Sequence, residues 1–330
     1  MYTNKTIFIT GGTGSWGHEL VKQLLEKEPK QIIIFSRGEL NQVVMERLLS
    51  DRRLRFIIGD IRDKEAVMEA MQGVDYVFHL AALKHVPICE NQPNEAIKTN
   101  IIGTQNLIEA CILNNVKKLI DVSTDKAVDA LNLYGMTKAI GEKLVIQANN
   151  RKSNTQFICI RAGNVLGSNG SVVPFFIDQI KRNNKVTITS QEMTRYFITL
   201  KEAIGLLFEA AEKSVGGEIF VMKMQACKIM DLAKVLIKAL GNEMTTIEEV
   251  GIRPGEKLDE VLVSEYEAGH TYSYNSKYYL IAPTLLIESI RENYKDFSKF
   301  QKVTFNRYSS RDELMNEQEI YQMLKEGLFI

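Results

Sequence analysis

The residues with the strongest chemistry lie in the middle of the chain, where Tyr134 and Lys138 stand four apart in Tyr134-Gly135-Met136-Thr137-Lys138. On a helix that spacing places a phenol and an ammonium on one face. A phenol ordinarily titrates near pH 10, and an adjacent ammonium lowers it by favouring phenolate. Tyr134 can then take a hydroxyl proton while hydride leaves the same carbon. Hydride needs an acceptor, and the N-terminus offers a place for one. Gly11, Gly14 and Gly17 fall in Gly11-Gly12-Thr13-Gly14-Ser15-Trp16-Gly17, directly after the apolar run Thr6–Thr10 and before a helical pattern. A turn with few side chains lets the backbone approach a pyrophosphate, which then sits at the positive end of the following helix. Three glycines alone are weak evidence; strand, loop and helix in that order are the context the motif requires. Thr13, Ser15 and Trp16 join the glycines as candidate cofactor contacts.

The second apolar run ends in Ser36-Arg37. An acidic side chain there would accept from an adenosine ribose diol, as for NAD. A hydroxyl and a guanidinium suit a 2′-phosphate instead, so the expected cofactor is NADP. Glu39 keeps NAD possible. Asp60-Ile61 follows the third run, where an adenine edge would lie, and Ala81, Ala82 and Lys84 follow the fourth, at the mouth of the cofactor site.

These residues need a scaffold. Thr6–Thr10, Gln31–Ser36, Leu54–Gly59, Tyr76–Ala81, Lys118–Ser123 and Gln156–Arg161 are short runs rich in apolar and β-branched residues, read as strands buried on both faces. His18–Lys27, Glu95–Asn114 and Tyr134–Asn149 read as helices between them. The alternation predicts an α/β fold, a Rossmann-type doubly wound parallel sheet. After Arg161 it loosens: Pro174–Lys181, Lys201–Ser214 and Met230–Leu240 read as helices and Glu218–Met222 as a further strand. We expect a dinucleotide-binding domain over 1–165, with 193–224 returning to it. A smaller interleaved C-terminal substrate lobe takes 166–192 and 225–330, with no element assigned to the tail from Glu288.

Composition agrees with a globular protein. The chain has 330 residues, 45% hydrophobic and 25% charged, which excludes a disordered or collagen-like chain. Its 41 Lys+Arg balance 41 Asp+Glu, which argues against a coat for nucleic acid or an anionic membrane. No apolar run is long enough to span a bilayer, and Met1–Lys5 enters a strand with no leader-like segment, so the expected location is cytoplasmic. Cys111 and Cys159 sit among apolar neighbours and read as reduced core thiols. His18, His79 and His270 show no metal-ligand spacing, and no metal is expected. His79 reads as a core residue.

The glycine loop, Ser123-Thr124 and Tyr134-x-x-x-Lys138 resemble the extended short-chain dehydrogenase/reductase family over roughly residues 5–260. Ala82-Leu83-Lys84-His85-Val86-Pro87, Ser123-Thr124-Asp125-Lys126-Ala127, Arg161-Ala162-Gly163-Asn164-Val165 and Arg253-Pro254-Gly255-Glu256-Lys257 narrow the resemblance to the inverting UDP-N-acetylglucosamine 4,6-dehydratases. The resemblance implies a 4-keto-6-deoxy UDP-sugar product for surface glycans or sialic-acid-like sugars. It also implies a homodimer or larger homo-oligomer paired through Glu95–Asn114 and Tyr134–Asn149. An epimerase needs only hydride out and back, whereas a dehydratase must also remove the carbon-5 proton and expel the carbon-6 hydroxyl. By resemblance Asp125 protonates that hydroxyl, Lys126 takes and returns the proton, and Thr124 hydrogen-bonds Tyr134.

Those roles require an uncharged Lys126 and a protonated Asp125, which a plain salt bridge opposes, so a shared proton is expected. The resemblance places Asn164 near the phosphates of a nucleotide sugar, with Ser168–Pro174, including Ser171 and Val172, at the uridine. Thr194-Arg195 and Arg253 are expected diphosphate clamps, since a guanidinium fork matches phosphate oxygens in pairs. Glu256 is placed at a ribose hydroxyl and Lys84 near the substrate. Two other readings stay open: a retaining dehydratase or 4-epimerase of the same nucleotide sugar, and a non-catalytic dinucleotide-binding scaffold.

Overall fold

The computed structural model describes residues 1–168, 170–283 and 300–330. The tail from Glu288 to 299 therefore lies outside the described residues. Strands β1 (Thr6–Thr10), β2 (Gln31–Ser36), β3 (Leu54–Ile58), β4 (Tyr76–His79), β5 (Lys118–Thr124) and β6 (Gln156–Ala162) form the parallel heart of the molecule. Their spatial order is β3-β2-β1-β4-β5-β6, with the chain reversing direction of travel between β1 and β4. Ligands of such sheets bind beyond the strand ends at that reversal, where the loops after β1 and β4 part. Ile7, Phe8, Ile9, Ile32, Ile34, Val77 and Phe78 are fully buried, because crossover helices cover both faces of these strands.

The second half supplies β7 (Asn164–Val165), β8 (Lys185–Ile188), β9 (Thr194–Ile198), β10 (Ile219–Met222), β11 (Gln225–Lys228) and β12 (Thr246–Glu249). It continues with β13 (Val261–Val263), β14 (Thr271–Ser273), β15 (Tyr278–Ile281), β16 (Gln301–Lys302) and β17 (Tyr308–Ser309). Parallel β10 joins the large sheet beside β6, and antiparallel β15, β14 and β16 extend that edge. These edge strands belong to the stretch read from sequence as substrate lobe. They are short, and their flanking Gly, Asn and Ser give no βαβ rhythm to read. β9 pairs with β7 and β11 in a separate small sheet. A second core of Phe176, Ile180, Val186, Leu232, Leu236, Ile320 and Leu324 joins the helices Val172–Asn183, Ile229–Leu240 and Glu317–Glu326.

Two local departures from regularity bear on the site. The helix expected over 95–114 is two α-helical pieces, Pro93–Ile97 and Gly103–Leu113, joined by a π-helical turn at Lys98–Ile102. Such turns occur often at functional sites, because the wider turn re-aims a side chain. Here it turns Asn100 inward, where Asn100 accepts from the Leu83 amide at 2.8 Å and donates to the Leu83 carbonyl at 2.9 Å. The Tyr134 helix runs Leu133–Ala148, and Asn132 caps it by accepting from the Gly135 amide at 2.8 Å. All four cysteines are buried and unpaired.

Candidate active site

A cleft of about 810 Å³ opens at the strand ends where the β1 and β4 loops diverge. One end is walled by Gly11, Thr13, Gly14, Ser15 and Trp16, the other by Thr124, Lys126, Tyr134, Lys138, Asn164 and Ser171. The glycine loop has the shape its sequence requires. Gly11 has φ +66°, and a Cβ there would come within 2.9 Å of Ala81 Cα. A Cβ at Gly17 would lie 2.1 Å from the Gly12 carbonyl, so Gly17 serves the close approach of helix Ser15–Leu25 to the loop and stands below the cleft. The helix N-terminus and loop amides fit an anionic bridge such as a pyrophosphate. Ser36 and Arg37 line the far end with Asn41, Asp60 and Ile61, and the Gln42 amide holds the Ser36 hydroxyl at 3.0 Å. Glu39 begins the next helix and is not part of the lining. Ala81, Ala82 and Lys84 form the wall between the two ends.

Beneath Tyr134 lies a polar row that crosses the sheet. Thr10, His79, Asp121 and Cys159 occupy successive register positions on β1, β4, β5 and β6. Asp121 is fully buried and accepts from Lys138 Nζ at 3.2 and 3.3 Å. Burial pushes the Lys138 ammonium down, but Asp121 and Tyr134 more than offset this and it stands above its ordinary value. Burial raises the Tyr134 phenol, against the pull of Lys138, Lys126 and a hydrogen bond with Thr124.

His79 closes the row. Thr104 Oγ1 donates to the Asn100 carbonyl at 2.8 Å, so towards His79 Nε2, 3.0 Å away, it can only accept. Thr10 Oγ1 accepts from the Leu80 and Ala81 amides, each at 3.2 Å, which leaves its own proton for His79 Nδ1 at 2.7 Å. The network therefore assigns a neutral ring with its proton on Nε2. Burial agrees, lowering His79 to about 4 against the attraction of Asp121.

On the substrate side Thr124 ends β5, and a short 3₁₀ turn, Asp125–Ala127, points Lys126 into the cleft. Lys126 Nζ is 3.0 Å from Asp125 Oδ1 and 3.4 Å from Asn164 Oδ1. Thr124 Oγ1 donates to the same Asp125 oxygen at 2.9 Å. The other oxygen, Asp125 Oδ2, is buried and has no hydrogen-bond partner. Burial would lower the Lys126 ammonium, but Asp125 and then Glu260, 3.7 Å from Nζ, outweigh it and hold Lys126 well above its ordinary value. Lys126 is thus a charged ammonium in an ion pair with Asp125.

The chain from residue 7 to 282 matches the family described as polysaccharide biosynthesis protein. The protein belongs to that family. It is 46% identical over 289 residues to a UDP-N-acetylglucosamine 4,6-dehydratase (inverting) of Campylobacter jejuni strain 81-176, covering 86% of this chain and 85% of that one. It is also 46% identical over 270 residues to a UDP-glucose 4-epimerase of Rickettsia canadensis, covering 80% of this chain and 79% of that one. Among solved structures, Pen from Bacillus thuringiensis superposes with a TM-score of 0.92 at 36% identity, over 100% of this chain and 99% of that one. The fold is the Rossmann-type α/β architecture read from the sequence.

Not every residue singled out in the sequence reaches the family's cleft. Arg195 is buried, and its guanidinium donates to the carbonyls of Thr194 at 2.7 Å, Leu258 at 3.2 Å and Lys257 at 2.9 Å. It therefore braces the segment carrying Lys257 and Glu260 and lies outside the lining, where a diphosphate clamp was expected. Thr194 pairs with the Ser310 hydroxyl at 2.7 Å, equally buried. Arg253 is exposed and Glu256 half-buried in one turn, the Arg253 amide donating to Glu256 at 3.2 Å, and Val172 starts a helix next to the lining residue Ser171. That turn is tied to the Tyr134 helix, since Asn132 donates to the Gly255 carbonyl at 2.8 Å.

Sequence reading missed Asp121, Asn100 and Glu260. An aspartate inside the apolar run Lys118–Ser123 was the available signal for the first, because a charge in a doubly covered strand must have a partner. Arg161 was quoted only within a motif. It lies fully buried, bonded to Glu142 at 3.1 and 2.7 Å and to Glu267 at 3.0 Å, and so couples the Tyr134 helix to the C-terminal lobe.

Proposed function

We propose that this protein is a UDP-N-acetylglucosamine 4,6-dehydratase that inverts carbon 5 and keeps its dinucleotide bound through each cycle. The observation that carries the reading is the Asp125–Lys126 pair at 3.0 Å, its lysine lining the cleft with Tyr134 and its carboxylate buried directly behind. An epimerase has no use for an acid and a base there, although an epimerase is among the relatives. The glycine nest and the helix behind it fit a dinucleotide, and Ser36 with Arg37 favours NADP over NAD at the adenosine end. Equal affinity for the two dinucleotides would remove that role from Arg37. When bound, the nicotinamide supplies hydride acceptance and return.

The chain's own groups do the proton chemistry. Tyr134, with Lys138 and Thr124 beside it, takes the proton of the 4-hydroxyl. The resulting ketone acidifies the carbon-5 proton. Moving one proton from Lys126 Nζ to Asp125 Oδ1 turns the ion pair into an amine and a carboxylic acid, the species elimination needs. Lys126 then removes the carbon-5 proton while Asp125 protonates the departing oxygen, and the pair returns to its ionic form. Finally Lys126 gives a proton back to carbon 5 on the face opposite the one the proton left, which inverts that centre. A retaining dehydratase would use the same pair and return the proton to the face it left.

Asn164 and Ser171 are the anchors the cleft offers a UDP-sugar. Ile97, Ile102, Met136 and Ile140 are exposed on the helices expected to pair protomers, which supports a homo-oligomer. Among the described residues no helix is long and apolar enough to cross a membrane. Proton NMR of the protein with UDP-N-acetylglucosamine in deuterium oxide tests the reading. A new 6-methyl signal with deuterium at carbon 5 is expected, its couplings reporting inversion; recovery of the 4-epimer alone would overturn it.

A further inference from the structure

Lys126 has two carboxylates, and only one belongs to the pair that the elimination uses. Glu260 follows the turn that Arg195 braces and precedes β13. Its side chain is 3% exposed, and Oε1 lies 3.7 Å from Lys126 Nζ and 3.6 Å from Arg195 Nε. Its Oε2 is buried with no hydrogen-bond partner. The residue is absent from the cleft lining, so it stands behind Lys126 as seen from the substrate. Its backbone is fixed on both sides: the Glu260 amide donates to Ser310 Oγ at 2.9 Å, and the Ser310 amide donates to the Glu260 carbonyl at 2.9 Å. A buried carboxylate with one empty oxygen is costly unless a cation answers it, and Lys126 and Arg195 are the cations within ion-pair distance.

We propose that Glu260 is a positioning residue for the dehydratase reading above: from outside the cleft it supplies the second negative charge that fixes how tightly Lys126 holds its proton. Asp125 cannot set this alone, because its own charge changes during elimination as it passes from acid to carboxylate. Glu260 touches neither sugar nor dinucleotide, so its charge is independent of those steps. It favours the ammonium that forms when Lys126 takes the carbon-5 proton, and so strengthens the base. That hold keeps Lys126 charged at rest, and Arg195 moderates it by sharing Oε1. The other charged or titratable groups facing Lys126 are Lys84 after β4, Tyr134 on its helix and Lys257 beside Glu260; among the cations, Arg195, Lys84 and Lys257 oppose its charge. Burial raises Glu260 itself, against Lys126, Arg195 and Lys257, so its grip weakens on the acid side.

The test compares the full-length protein with Glu260→Gln, which keeps shape and removes charge, and Glu260→Asp, which keeps charge at greater distance. Lysine labelled with ¹³C at Cε reports the titration of Lys126 directly, with Lys126→Arg assigning the signal. An anion at this distance shifts a neighbour by about 1–3 pH units. The midpoint of Lys126 is therefore expected to fall by that amount in Glu260→Gln and by less in Glu260→Asp. Equal midpoints in all three proteins, or a Lys126 fully charged throughout in each, overturn the proposal. This arm uses no substrate, so it stands or falls apart from the dehydratase reading. In the second arm the acid limb of carbon-5 deuterium incorporation is expected to move down in step with the midpoint. A shifted midpoint with an unmoved limb would leave Glu260 in its role and remove Lys126 as the base.

Discussion

Two lysines flank the cleft, one buried and one half-buried, each held by a carboxylate at hydrogen-bond distance, yet they are built for different work. Lys138 meets Asp121 inside the sheet, with side-chain exposures of 5% and 1%. Lys126 meets Asp125 at the cleft wall, with exposures of 23% and 0%. The deep pair sits in a row whose histidine is fixed neutral, so nothing in its surroundings invites a proton to move. The wall pair shares Asp125 with the Thr124 hydroxyl and Lys126 with a second carboxylate, and Lys126 faces the open cleft. A single ion-pair motif thus gives a permanent charge in one place and an exchangeable proton in the other. Depth and the count of neighbouring groups make the difference.

The largest expected effect comes from breaking the exchangeable pair. Lys126→Ala should bind dinucleotide as wild type does but lose elimination by about 10²–10⁴-fold, the usual contribution of a placed base. Carbon-5 deuterium incorporation and 6-methyl formation measured together check this. Unchanged turnover would show that the base lies elsewhere. Stability separates the pairs more sharply than activity does. Asp121→Asn leaves Lys138 charged and enclosed, at about 3–5 kcal/mol in unfolding free energy. Asp125→Asn leaves Lys126 with Glu260 and a solvent-facing side, for about 1 kcal/mol or less. Urea unfolding of both variants at neutral pH gives the comparison, and equal losses would show that depth does not distinguish the pairs.

The contrast was partly legible in the sequence. Tyr134, Lys138, Asp125 and Lys126 announce themselves because their spacing is local: helix periodicity joins the first two, and adjacency the others. The parallel sheet was legible for a similar reason, each strand being a continuous apolar run. What escaped was set by register between strands far apart in the chain. Asp121 and His79 become neighbours only once β4 and β5 align, and Glu260 reaches Lys126 only through the bracing by Arg195. Arginine at 195 was a fair guess for a phosphate clamp, since a guanidinium suits phosphate. Carbonyl oxygens satisfy the same donors, and type alone does not tell which partner folding will bring. The antiparallel edge of the large sheet was hidden too, because two- to four-residue strands carry too few alternations to read.

The smallest effect tests why the deep pair stays fixed. His79 is lowered from its ordinary 6.5 to about 4 by burial. Between those values the unfolded chain binds a proton that the folded protein refuses, so unfolding takes up protons as pH falls. Stability is then full above about pH 6.5 and declines towards pH 4, where the folded ring also charges. From pH 7 to pH 5 the loss attributable to this one group is about 2 kcal/mol. Replacing it with glutamine keeps polar contacts to Thr10 and Thr104 without a titrating ring. His79→Gln should begin less stable at pH 7, yet lose about 2 kcal/mol less than wild type on going to pH 5. Denaturant unfolding at the two pH values reads this as a difference of differences, in which the protonation of other groups cancels. Parallel losses in the two proteins would mean that His79 titrates near its ordinary 6.5 in the folded protein too, and so takes up its second proton between pH 7 and pH 5. The row beneath Lys138 would then hold two cations beside one carboxylate, and the claim that the deep pair sits in a fixed field would fail with it.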